Sequence, residues 1–343
     1  MNIRLIMIVL LGIAWVAGTP AATAQDKAGT SAAPELLIPL GAKEVAVSGA
    51  SLSSVNGVHA IYWNPAGLDF EAGTSALFAY RSYIGDIGVN YLALGTQFSG
   101  LGSLGLTLRT FSFGDIDVTT EDRTDGTGEV FSPTFFTLGL TYSRQLTDNV
   151  GIGVTMNIVN ESFARVSASG IAADVGVQYR NLGGVDGLSI GVCVKNIGTA
   201  MQYGGSGLWV AAEDPTSHRG LTQYKVEAAS YQMPSTIQIG MGYKMKLADQ
   251  SGLQFSAAFE NDNYGIDKYR VGAEISFMRS LFVRGGYIYS TDMYGTKSIF
   301  QNTTVGIGID LFEYAGIPLG IDYAFVPVQY FDANHLIDIH LQF

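Results

Sequence analysis

The sequence predicts an all-β fold, a 14-stranded antiparallel transmembrane β-barrel with an N-terminal hatch segment. Three observations predict it. Charged residues make up only 14% of the chain while 43 of its 343 residues are glycine, against about 25% charge and roughly 7% glycine in soluble domains. From Thr74 onward, apolar residues alternate with polar or small ones at period two. The gaps between these runs are short and long by turns, which sorts the connections onto two sides. With 47% hydrophobic and 11% aromatic residues, disorder is excluded. A bundle of spanning helices is excluded as well, because one stretch alone approaches the roughly 20 apolar residues such a helix needs.

That stretch lies at the start. Residues 1–24 read as a secretory signal, with Arg4 in the basic region, an apolar run over 5–16, and Ala22-Thr23-Ala24 before a mature start at Gln25. Residues 25–73 then form a lead and a hatch inside the barrel, and 74–343 form the barrel itself. Cys193 is the single cysteine, so a secreted chain gains no internal disulfide. The net charge of −11 argues against a nucleic-acid partner.

The alternating runs fall at 74–83, 86–98, 103–113, 132–146, 150–162, 168–181, 187–197, 234–247, 252–261, 268–279, 281–291, 301–314, 316–327 and 334–343. The run 234–247 shows the pattern well: Ile237, Ile239, Met241, Tyr243 and Met245 share one face, opposite Gln238, Gly240, Gly242, Lys244 and Lys246. Most runs exceed the 5 or 6 residues common in globular strands and match the roughly 9 to 11 that a tilted strand needs to cross a bilayer. An even count is expected of a single-chain outer-membrane barrel.

After even-numbered runs the gaps are tight (99–102, 147–149, 182–186, 248–251, 279–280 and Ala315). After odd-numbered runs they include 114–131, 198–233 and 291–300. Short periplasmic turns and long outer loops are the asymmetry of such barrels. The chain then lies in an outer membrane, against its lipid and lipopolysaccharide, with both termini periplasmic. An open sheet edge in hydrocarbon leaves backbone groups unpaired, so the sheet must close. Its polar face lines a lumen containing Arg109, Asp174, Arg180, Lys244, Arg270, Glu274, Arg284, Asp310 and Asp322. Mixed signs predict paired charges bracing a filled interior, because charges shielded from water are usually paired. Phe343, closing the last run, is similar to the C-terminal signal read by outer-membrane assembly machinery.

The segment 35–69 does not alternate. Small residues over 46–54 lead into Trp63-Asn64-Pro65-Ala66-Gly67. Pro65 fixes a turn and biases Asn64 away from helix, Asn64 can bond to nearby backbone, and Gly67 permits a left-handed residue. This motif, after its Gly/Ala/Ser-rich stretch, resembles the N-terminal segment of the PorV/PorQ family, relatives of the FadL hydrophobic-compound transporters. Val194-Lys195-Asn196-Ile197-Gly198, Met233-Pro234-Ser235, Tyr269-Arg270-Val271-Gly272-Ala273-Glu274, Arg284-Gly285-Gly286-Tyr287 and Asp322-Tyr323-Ala324-Phe325 extend the similarity over nearly the whole mature chain. Residues 41–52 depart from the family's usual glycine-methionine-glycine-rich version. The resemblance implies a fourteen-stranded barrel with a hatch. It also implies a role in type IX secretion, with the translocon and the C-terminal signal domains of cargo as partners. FadL relatives instead pass hydrophobic molecules, which makes a hydrophobic ligand and a transporter role the alternative.

Catalytic chemistry and a cofactor are not expected. His59, His218, His335 and His340 are scattered without metal-ligand spacing, so no metal is expected. Asp115, Asp117, Glu121 and Asp122 lack the glycine and terminal glutamate of a calcium hand. Gly204-Gly205-Ser206-Gly207 carries no Lys-Ser/Thr after it. Within the loop 198–233, Met201, Tyr203, Leu208, Trp209 and Val210 form an apolar, aromatic set suited either to a protein partner or to packing over the barrel mouth. The strand parity is tested by labelling intact cells: Gly126→Cys and Ser206→Cys should react with an impermeant maleimide, and Gln250→Cys should not.

Overall fold

The computed structural model describes residues 29–213, 220–290, 302–311 and 316–343. The signal segment 1–24, His218, most of the loop after residue 290 and the turn at Ala315 lie outside the described residues.

Fourteen strands form a closed antiparallel barrel in sequence order. They are β1 (Thr74–Ser82), β2 (Gly88–Phe98), β3 (Gly102–Ser112), β4 (Thr134–Thr147), β5 (Val150–Phe163), β6 (Val166–Arg180) and β7 (Leu188–Gly198). The second half holds β8 (Thr236–Ala248), β9 (Ser251–Asp262), β10 (Lys268–Phe277), β11 (Leu281–Ser290), β12 (Thr303–Asp310), β13 (Leu319–Val326) and β14 (Asn334–Gln342). Each matches one alternating run of the sequence. The twelfth run is strand over Thr303–Asp310 among its described residues.

Closure comes from β1 against β14, from Ser75 opposite Gln342 to Arg81 opposite Leu336. Thr74 N–H donates to Phe343 O at 3.1 Å and Phe343 N–H donates to Thr74 O at 2.8 Å. The ladder therefore runs unbroken around the circumference, as hydrocarbon requires. On β3, Leu104, Leu106 and Leu108 point outward while Ser103, Thr107 and Arg109 are buried inside, so one alternation supplies both the lipid face and the lumen. Tyr80, Phe98, Tyr142, Tyr287 and Tyr289 stand exposed toward strand ends, where amphipathic rings suit the interface.

The wall has a bulge in β7. Ala173 pairs with Ile197 and Val175 with Val194, so Lys195 and Asn196 together face the single Asp174. Asn196 takes φ +58°, and its N–H donates to Asp174 Oδ1 at 2.7 Å. An extra residue locally turns a strand; here it points two consecutive side chains, Lys195 and Asn196, into the interior, both buried.

Inside the barrel lies the stretch 34–70, folded into short helical turns at Pro34–Leu37, Ala42–Ala46, Ala50–Ser53, Gly57–His59, Ala60–Trp63 and Pro65–Phe70. Its apolar side chains Leu40, Val58, Ile61 and Leu68 pack on Leu77, Val89, Tyr91 and Phe111 of the wall. Glycines on the inward face of the sheet let backbone meet backbone. A Cβ at Gly153 would lie 2.3 Å from Pro65 C, and one at Gly176 would lie 2.0 Å from Asn64 Oδ1. Gly176→Val should therefore unseat this inner segment while leaving the sheet closed. Limited proteolysis should cut within 34–70 in a barrel that still migrates as folded on an unheated gel. Gly204→Ala, where a Cβ meets nothing within 4 Å, should cut no faster than the wild type.

Candidate functional site

The Trp63–Gly67 motif anchors the inner segment. Trp63 Nε1–H donates to Leu40 O at 2.9 Å, which folds the preceding turn back onto the ring. Asn64 spends its whole amide: Oδ1 accepts from Ala66 N–H at 3.2 Å, and Nδ2 donates to Leu52 O and to Val177 O of β6, both at 3.1 Å. Ser143 Oγ donates to Ala66 O at 3.2 Å. Pro65 opens the following turn at a position where no N–H is needed. Gly67, expected to supply a left-handed residue, does something else. It is not among the positive-φ glycines; a Cβ there would lie 2.2 Å from Val55 O, so the position is small because two stretches of backbone touch.

Cations of the wall grip the segment as well. Lys195 Nζ stands 3.5 Å above the Tyr62 ring and the Arg109 guanidinium 5.1 Å from it, a cation–π arrangement. Arg109 donates to Glu35 O at 3.1 Å and Arg81 to Pro39 O at 2.7 Å. Arg180 covers the Phe70 ring at 3.7 Å and donates to Val55 O at 3.4 Å.

The charges expected to pair across the lumen thus divide. Arg270 pairs with Glu260 at 2.7 Å, and Arg284 with both Glu274 at 2.6 Å and Asp322 at 2.5 Å. Arg109 and Arg180 bind carbonyls and rings of the inner segment instead, because its backbone needs donors that the segment cannot supply itself. Asp174 caps the β7 bulge and accepts from Asn157 at 2.9 Å. Asp310 lies at the inward-facing end of β12. Lys244 lines a cavity of about 500 Å³ shared with Glu44, Arg180, Asp186 and Glu274. That cavity opens among the residues of the short turns, and its lining mixes charged and polar side chains with Val47, Val55, Leu188 and Phe282. Beyond the segment, around Tyr62, Arg109 and Lys195, the space left is about 20 Å³, roughly one water.

The loop 198–233 separates into stem and tip. Met201, which the sequence suited either to a partner or to packing over the mouth, is 2% exposed and packs with Ala33, Leu36, Val159 and Met233. Tyr203 packs against the same cluster, and its hydroxyl donates to Glu161. These two hold the loop down, and Leu208 is half-buried. Trp209 and Val210 behave otherwise: they are 53% and 46% exposed on a hairpin pairing Trp209–Ala212 with Thr222–Lys225. Leu221, Tyr224 and Val226 add to the same exposed apolar tip. Sequence reading missed these three, whose signal was a second short alternation at 221–226. It also missed that His59 and His340, far apart in sequence, meet with ring centroids 5.3 Å apart.

A carboxyl pair lies below the stem. Glu35 is buried with no hydrogen-bond partner for either carboxylate oxygen among the described residues. Burial, with the Glu161 charge beside it, pushes its carboxyl up to about 8 from the ordinary 4.5.

A closed 14-stranded barrel with an apolar outer face and an occluded, charged lumen defines an outer-membrane β-barrel protein. Solved structures agree on the fold. The Ralstonia pickettii toluene transporter TbuX is 14% identical with TM-score 0.55, covering 88% of this chain and 98% of its own. A Pseudomonas aeruginosa FadL homologue is 12% identical with TM-score 0.54, covering 88% and 98%. The Pseudomonas putida toluene transporter TodX is 14% identical with TM-score 0.53, covering 84% and 94%. No curated protein sequence matches the chain. Residues 21–210 match the family described as type IX secretion system protein PorV. The chain belongs to the PorV family.

The buried carboxyl makes the seat of the inner segment pH-dependent. Between its unfolded value near 4.5 and about 8 in the folded chain, the folded state holds the extra proton. Stability of the seat therefore falls as pH rises through that window and levels off above it. Hydrogen exchange at 34–40, corrected for intrinsic rates, should be faster at about pH 8.5 than at about pH 6, and Glu35→Gln should remove the difference.

Proposed function

We propose that this protein serves type IX secretion as an outer-membrane docking component, without enzymatic activity, binding the translocon or the C-terminal signal domains of cargo. The observation that carries the reading is the exposed tip Trp209, Val210, Leu221 and Tyr224. It stands on a stem fastened through Met201 and Tyr203. An exposed aromatic cluster is what a protein partner recognises, because aromatic anchors buried on binding hold most of an interface's energy. In this reading residues 1–24 are cleaved and 25–73 act as lead and hatch. The short turns and both termini face the periplasm, and the tip faces outward. The hatch need only seal the lumen.

The alternative, a transporter of hydrophobic small molecules, draws on the likeness to toluene transporters, which at this identity extends to fold alone. The charged lining of the 500 Å³ cavity favours it less, since an apolar solute gains little from such walls.

Co-purification decides between them. Trp209→Ala and Tyr224→Ala should each weaken capture of translocon or cargo by about 30-fold, the equivalent of roughly 2 kcal/mol per anchor. Uptake of a hydrophobic tracer should be unchanged. Normal capture with both anchors removed, together with tracer uptake lost on enlarging Ala50 or Gly57 in the hatch, would promote the transporter.

A further inference from the structure

Three side chains from distant parts of the chain converge where the inner segment meets the last two strands. His59 comes from the segment, Asp322 from β13 and His340 from β14, each with one ligand-capable atom within 4.8 Å of the others. His340 Nδ1 lies 3.6 Å from Asp322 Oδ2. Asp322 is oriented from behind by Arg284, which holds Oδ1 at 2.5 Å.

The neighbourhood is polar, buried and short of partners. Both ring nitrogens of His59, Nδ1 of His340, Oε2 of Glu44 and Oδ1 of Asp338 are buried without a hydrogen bond among the described residues. His59 Nδ1 does stand 3.2 Å from Glu44 Oε2, at ion-pair distance but out of line for a hydrogen bond. Native interiors rarely leave such atoms orphaned, and an unplaced ion is one standard cause. The carboxylates Glu44, Glu274, Asp322 and Asp338 gather here with Lys43 and Arg284 among them, so carboxylate oxygens stand beside the two imidazoles.

Space for this group has been cut into the wall. Gly320 pairs with His340 across β13 and β14, and a Cβ there would lie 1.9 Å from the imidazole Cε1 and 2.1 Å from Nε2. A Cβ at Gly308, opposite Asp322, would lie 2.1 Å from Oδ1. Two inward glycines on adjacent strands thus cradle one imidazole and one carboxylate.

We propose that His59, Asp322 and His340 form a site for a borderline divalent cation, Zn²⁺ or an ion of similar chemistry, that fastens the inner segment to the barrel wall. Two imidazoles and a carboxylate are a ligand set such ions accept. Bond lengths of about 2.0–2.2 Å place tetrahedral ligand atoms roughly 3.4 Å apart, so the donors draw in by about 1 Å on binding. Glu44 or Asp338 stands ready for the fourth position. The Arg284 contact on Asp322 orients that ligand from outside. The site requires no secretion partner and stands apart from the docking reading.

The test uses the full-length chain without a histidine tag, in detergent, stripped with EDTA, exposed to Zn²⁺ and desalted. Elemental analysis should find roughly one Zn²⁺ per barrel. His340→Gln and Gly320→Ala, each checked for heat-modifiable migration, should weaken Zn²⁺ binding at least tenfold, while His335→Gln on the same strand should not. Zn²⁺ should also slow proteolysis within 34–70 in the wild type and leave His340→Gln unaffected. His59→Gln should behave as His340→Gln does, and where it fails to fold the other two variants decide. A wild-type barrel that retains no Zn²⁺, or one that binds it no more tightly than His340→Gln, overturns the proposal.

Discussion

Hydrocarbon offers a backbone no hydrogen-bonding partner, and that requirement governs everything else in this protein. It forces β1 onto β14 and so creates an enclosed space wide enough to need filling. The filler is a length of chain bent into turns too short to satisfy its own carbonyls. Donors must then come from the wall: Arg81, Arg109, Gln178 and Arg180 each reach a carbonyl of the inner segment. Part of the polar face of the sheet is thereby committed to holding backbone, while Lys268, Arg270 and Arg284 pair with acids of the wall.

The strands were legible because bilayer and lumen impose opposite chemistry on alternate residues, so the period-two signal is written into every strand. The anchoring motif was legible for a different reason. Proline and asparagine have strong local backbone consequences, and Asn64 meets them within its own turn as well as on β6. What stayed hidden depends on closure. Nothing local in His59 or His340 announces that strands numbered last lie beside the segment that precedes the first. The β7 bulge is similar: a single extra residue reverses which face Asn196 takes, and a regular alternation has no means of registering it. Gly67 illustrates the converse, a residue singled out correctly for smallness and explained by the wrong cause.

In the loop 198–233, apolar content alone did not distinguish stem from tip. Met201 and Trp209 have comparable hydrophobicity, yet one is packed beneath the mouth and the other projects beyond it. The difference lies in pairing. Met201–Gln202 bonds to Ser230–Tyr231, whereas Trp209–Ala212 belongs to a separate two-stranded hairpin and is exposed throughout. Anchoring the stem on Ala33 and Leu36 also joins this loop mechanically to the chain inside.

The inner segment touches both ends of the sheet in sequence, since Arg81 of β1 donates to Pro39 O. Ala42 N–H donates to Asp338 of β14 at 2.5 Å and Thr304 of β12 donates to Ala46 O at 3.0 Å, while Asn64 and Gln178 join it to β6. The strands that close the ring thus also seat the segment, so an empty cylinder would forfeit hydrogen bonds made by its own last strands.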